Sequence, residues 1–127
     1  MGAMSVLLAV KDMKETLAFY TQVLGFEMGM VFPDAEGPEY ADVARDGMQP
    51  MFVPCQNVGV GPDERLGVGV NIYLELDGDI DEYYRQVKGR GATVVDDIKD
   101  EPFGIRDFTV SDPNGYLLTF NKQLQAG

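Results

Sequence analysis

The chain has 127 residues and a formal net charge of −11, from 21 acidic and 10 basic side chains. This balance leaves no cluster of Lys and Arg to hold phosphates, so nucleic acid is not an expected partner; it favours solubility and attracts cationic small molecules. Hydrophobic residues make up 45 %, enough for a globular core, no apolar run is long enough to cross a bilayer, and histidine is absent, which removes imidazole metal ligands and the Ser-His and Cys-His nucleophile pairs.

Met1-Gly2-Ala3 reads as a vector-derived scar before Met4 and is set aside, and no secretory signal opens the chain. Ser5 to Val10 (SVLLAV) reads as a strand. Asp12 with Glu15 forms a capping-box-like start to a helix carrying Met13, Leu17, Tyr20 and Leu24 at helical spacing, and Gly25 stands where it should end. Phe26 to Phe32 is a second strand and Pro33 to Pro38 a loop. Tyr40–Arg45 and Met48–Val53 form two strands joined at Asp46-Gly47, a strong hairpin signal, with Pro50 expected to put the latter strand at an edge or in a bulge. Cys55 is the only cysteine, so no intrachain disulfide can form and a cytoplasmic setting is expected; the thiol reads as a small buried apolar group.

After a Gly- and Pro-rich linker over residues 55–69 the pattern starts again. Asn71–Leu76 is a strand, and Asp79 with Glu82 repeats the cap. Ile80, Tyr84, Val87 and Gly91 repeat the stripe of Met13, Leu17, Tyr20 and Leu24 at one offset. Thr93–Asp96, Ile105–Ser111 and Tyr116–Asn121 complete the set, the last two separated by the turn-forming Asp112-Pro113-Asn114-Gly115. The fold class is therefore α+β, with two tandem βαβββ modules, one over about residues 4–54 and the other over about 70–121, together forming a single domain over residues 4–127.

VKDMKETLAFYTQVLGFE, LELDGDIDEYYRQVKGRGATVV and PFGIRDFTVSDPNGYLLTF together resemble the vicinal oxygen chelate superfamily, which includes glyoxalase I, extradiol dioxygenases and bleomycin-resistance proteins. The resemblance spans about Ser5 to Asn121. It implies mixed sheets curled around a cleft, usually in a homodimer, with a divalent metal in the enzymes. Alignment to the motifs puts the metal positions at Ser5, Met51, Asn71 and Thr119, which offer two hydroxyls, a thioether and an amide. These donors suit neither a hard nor a borderline cation, so no metal or other cofactor is expected.

Period-two alternation puts Ser5, Leu7, Ala9, Met51, Val53, Asn71, Tyr73, Glu75, Leu117, Thr119 and Asn121 on the cleft face. Met28, Met30, Phe32 and Tyr40 either close the cleft or are ordinary half-buried strand residues. Phe103 either lines the cleft mouth or packs its loop. Glu75 is the one weak catalytic candidate, as a base, although a strand-end acid is more often solvated or paired with a neighbour such as Arg106. Arg106 itself reads as a structural cross-strand partner. The leading expectation is a metal-free binder of a small molecule, cationic or aromatic, resembling the bleomycin-resistance branch, with no nucleic-acid or membrane partner. The alternatives are a metal-independent enzyme of the same fold, a lyase, isomerase or transferase, and an interaction module whose groove is filled by its own side chains.

Overall fold

The computed structural model describes residues 4–124; Met1–Ala3, read above as a scar, lie outside them. The chain divides into two units between Leu66 and Gly67.

In the first unit, β1 (Leu7–Val10) leads into α1 (Met13–Ala18), which a π-helical turn over Phe19–Val23 continues. The Asp12 side chain caps α1 by accepting the Glu15 N–H at 3.0 Å, satisfying one of the donors a helix start leaves free. Then come β2 (Glu27–Phe32), β3 (Tyr40–Ala44) and β4 (Met51–Pro54), followed by a short 3-10 turn over Cys55–Val58 that buries Cys55. The sheet order is β1-β4-β3-β2, with β1 and β4 parallel and the other pairs antiparallel. Met13, Leu17, Tyr20 and Leu24 are all buried, with Leu8, Val10, Phe26, Ala41, Val43 and Phe52 completing this core. Tyr20 organises it, with ring centroids 4.8 Å from Phe52 and 5.9 Å from Phe26. Each such large side chain contributes about 1.5–3 kcal/mol on burial.

The hairpin at Asp46-Gly47 forms as expected. Asp46 (φ 51°) and Gly47 (φ 82°) both take the positive φ that a two-residue type I′ turn needs, inside the Arg45–Met48 bridge. Pro50 behaves otherwise. Its strand is internal, between β1 and β3, and one register runs from the Ala41–Phe52 pair to the Arg45–Met48 bridge. Pro50 lacks only its own N–H; its carbonyl still accepts from Val43 at 3.2 Å.

The second unit repeats the first, with β5 (Asn71–Glu75), α2 (Ile80–Gly89), β6 (Thr93–Asp100), β7 (Ile105–Ser111) and β8 (Leu117–Gln123) in the order β5-β8-β7-β6. Asp79 caps α2, its Oδ1 accepting from Asp81 and Glu82. The helix stripe differs from the expected one. Ile80, Tyr83 and Val87 are buried, Tyr84 is half-buried, and Gly91 lies beyond the helix at φ 97°. Tyr83 packs against Phe120 (5.1 Å) and Phe108 (6.2 Å), whereas Tyr84 lies at the flank with its hydroxyl donating to Asp97 at 2.8 Å. At the closing hairpin, Asp112 Oδ1 accepts from Asn114 and Tyr116, and Gly115 takes φ 97°. Tyr116, Leu118 and Phe120 are core, as their shared face suggested.

Candidate functional site

In each unit the helix covers one sheet face, and alternation sends every other side chain to the opposite face. On the first sheet Leu7, Met51 and Asp42 stand in one row of paired residues. Ala9 with Val53 and Phe32 with Tyr40 are further pairs on that face. Ser5 precedes β1, is exposed and belongs to no pair. Leu7 is 51 % exposed and Phe32 60 %. Met28 is corrected: it pairs with the core residue Val43 and borders a groove of about 260 Å³ beside α1 with Leu17, Thr21 and Val31, on the helix side of the sheet. Met30 is exposed at the point where β2 changes register.

That change of register is built around Asp42. Between Met28 and Val31, β2 carries one residue more than β3 does between Val43 and Ala41. Such an extra residue leaves backbone donors without a ladder partner. Asp42 Oδ1 accepts the Met30 N–H at 3.0 Å, and Oδ2 accepts the Tyr40 hydroxyl at 2.8 Å. The carboxylate lies so close over residue 29 that a Cβ there would overlap it, so any side chain at this position would have to displace Asp42. Burial raises the Tyr40 pKa above its ordinary value, and the hydrogen bond and charge of Asp42 raise it further.

On the second sheet the registers lay out three rows opposite α2. The first is Asn71, Leu117, Ser111 and Thr93; the second is Tyr73, Thr119, Thr109 and Asp96; the third is Glu75, Asn121, Asp107 and Lys99. Thr119 lies at the centre and is buried. Its hydroxyl donates to Asn71 Oδ1 at 2.9 Å and lies 2.8 Å from the Thr109 hydroxyl. Because a hydroxyl has one proton, Thr109 must be the donor in the latter bond. Tyr73 is 56 % exposed beside this chain of hydroxyls. Asp107 is only 5 % exposed. Its carboxyl is pushed above the ordinary value first by burial and then by the charge of Glu101, with Lys99 offsetting and Asp96 adding to the shift.

Met51 and Thr119 hold corresponding places. Met51 pairs with Leu7, two residues beyond Ser5, and Thr119 pairs with Tyr73, two residues beyond Asn71. In neither unit do these donors suit a divalent metal. In the second unit the Thr119 and Asn71 oxygens are engaged with each other, and in the first Met51 and Ser5 offer only a thioether and a hydroxyl. Among the described residues, no group of three or more His, Cys, Asp or Glu is placed to hold one.

Glu75 is exposed at the end of β5. Arg106 does not serve it. The guanidinium bonds Asp81 of α2 at 2.9 Å and its cross-strand partner Asp100 at 2.8 Å, the structural role expected of it, and these bonds raise its pKa. Phe103, in the turn before Gly104, is 64 % exposed and so contributes little to loop packing. The sequence reading missed Asp42, Thr109 and Asp107. Period-two alternation from Tyr40 and from Ile105 would have placed all three on these faces.

The sequence profile of the Glyoxalase/Bleomycin resistance protein/Dioxygenase superfamily matches residues 3–120. No curated protein matches the chain by sequence. Among solved structures, a superfamily member from Sphaerobacter thermophilus is 26 % identical, with TM-score 0.76 and coverage of 97 % of this chain and 98 % of that one. TnmS3, an antibiotic binding protein from Streptomyces sp. CB03234, is 25 % identical, with TM-score 0.75 and coverage of 97 % and 96 %. TioX from Micromonospora sp. ML1, at 24 % identity, TM-score 0.76 and 99 % coverage of both chains, shares the fold.

Proposed function

The chain belongs to the glyoxalase/bleomycin resistance protein/dioxygenase superfamily, and from that premise we propose that it is a binding protein which holds a small cationic or aromatic molecule without a metal. The observation that carries this reading is the exposure of Leu7, Phe32 and Tyr73 on the sheet faces opposite the helices, beside polar groups that already satisfy one another. Apolar surface gives such a face affinity, and sparse fixed polar groups orient the guest. The antibiotic binding protein TnmS3, at similar length and fold, supports the same reading. So does the charge of −11, for a cationic guest. Catalysis by Glu75 has no comparable support, since that carboxylate is exposed at a strand end.

Calorimetry in the presence of a chelator tests the proposal, with bleomycin and a panel of cationic aromatic antibiotics as titrants. Saturable binding that the chelator leaves unchanged is expected, and Tyr73→Ala should weaken it about tenfold, the effect of losing roughly 1.4 kcal/mol at an aromatic contact. No binding anywhere in the panel, or stoichiometric metal surviving chelation, would overturn it. We further propose a homodimer, which the family resemblance implies, in a cytoplasmic setting, which the single cysteine favours; sedimentation at the mass of one chain would exclude the dimer.

A further inference from the structure

We propose that Glu75, Asn121 and Asp107, consecutive in one row across β5, β8 and β7, form a subsite for the ammonium group of a ligand, with Asp107 as its principal anion. This rests on the reading of the protein as a small-molecule binder and adds the chemical class of the guest.

Asp107 alternates with Phe108, whose ring is fully buried against Tyr83 and Phe120, so its own side chain points to the face opposite α2. Asp107 as a residue is 5 % exposed, and among the described residues its carboxylate is given no protein hydrogen bond or ion pair, its oxygens keeping contact with solvent at the sheet face. Lys99, the cation of its row, has its ammonium 3.8 Å from Glu101 instead. A carboxylate with so little room for water and no protein partner is only partly solvated, and the raised pKa of Asp107 has the same origin. An incoming ammonium would supply the missing partner, with the adjacent Asn121 amide oxygen as a further acceptor and Glu75 adding its charge from one strand further away.

A metal ion is the poorer guest. Glu75 and Asp107 sit two strands apart, about 10 Å between backbones, so the row offers one carboxylate and one neighbouring amide at any one point, enough for an ammonium but short of the several oxygen ligands a divalent cation takes. Tyr73 lies two residues before Glu75 on the same face, in the adjoining row. An amine bound at Asp107 and Asn121 would therefore place an attached ring over Tyr73. The geometry selects an aromatic amine.

The test uses tryptamine and its neutral counterpart tryptophol, titrated into the whole chain and followed by backbone amide NMR. Tryptamine should shift the Tyr73, Asp107 and Asn121 amides at a Kd at least tenfold below that of tryptophol. Asp107→Asn, which keeps the side-chain shape, should abolish the difference. Glu75→Gln, at an exposed position that leaves folding intact, should weaken tryptamine two- to threefold. Equal binding of both probes with no response to Asp107→Asn would overturn the subsite while leaving the binder reading intact. Absence of shifts at these amides would also overturn it, and the antibiotic panel then decides the broader reading independently.

Discussion

The Thr119 hydroxyl donates to the side-chain oxygen of Asn71, forty-eight positions away in sequence, at 2.9 Å. The family resemblance implies metal-ligand positions at these two residues, and here they satisfy each other. Thr119→Val keeps the shape and removes the bond, leaving the buried Thr109 hydroxyl without its acceptor. Urea unfolding should show a loss of about 1–3 kcal/mol, with Thr109→Val in the same chain costing less than the sum of the two changes.

Gly29 is set by Asp42. Gly29→Ala forces a methyl group into the Asp42 carboxylate, which Met30 and Tyr40 hold in place. We expect a destabilisation of about 1–3 kcal/mol. In an Asp42→Ala background the same change should cost clearly less, because the obstructing group is gone. Additive losses in a double-mutant cycle would contradict the contact.

Asp107 makes stability depend on pH. Its folded pKa is raised, so the unfolded chain releases this proton first. The Asp107 contribution is therefore fully favourable below the ordinary carboxylate value, about 4, and is lost as pH rises through the folded value. Asp107→Asn should flatten the decline of Tm across that interval and raise Tm at pH 7. A steeper decline in the variant would show that the carboxylate is stabilising where it stands.

Asp79 caps α2 through two backbone donors and Asp12 caps α1 through one. Each Asp→Ala change should cost about 1 kcal/mol, a fall of roughly 3–6 °C in Tm, with Asp79 the larger. Asparagine at either position should restore most of the loss, as a thermal scan would show.

The features legible in the sequence were those fixed by local chemistry. Asp12 and Asp79 announced their helices, Asp46-Gly47 its turn, and Ile105–Ser111 emerged with the same limits. The repetition of these signals gave two matching units, because caps and turns depend on neighbours within a few residues. What escaped depended on distant partners. Tyr83 and Tyr84 both satisfy helical spacing from Ile80 and both meet the Phe108 ring, and it is the Phe120 ring against Tyr83 that marks which one is buried. Pro50 stands immediately before the internal strand β4, where its missing donor costs a single bond while its carbonyl still pairs with Val43. Asp42 and Asp107 had the right alternation, but mid-strand acids read as solvated charges until the strands across from them are known. The extra residue in β2 left no sequence signal beyond Gly29.

The matching strand orders also give the two sheets unequal rims. β2 and β6 are the outermost strands at corresponding ends. Along β6, Asp96, Asp97, Lys99 and Asp100 surround the free backbone groups with charge, which discourages another strand from docking. β2 carries charge only at Glu27, followed by exposed Met28, Met30 and Phe32. The extra residue between Met28 and Val31 interrupts that rim, and an irregularity of this kind works against edge-to-edge pairing, so the glycine that accommodates Asp42 also breaks the regular edge another strand would need.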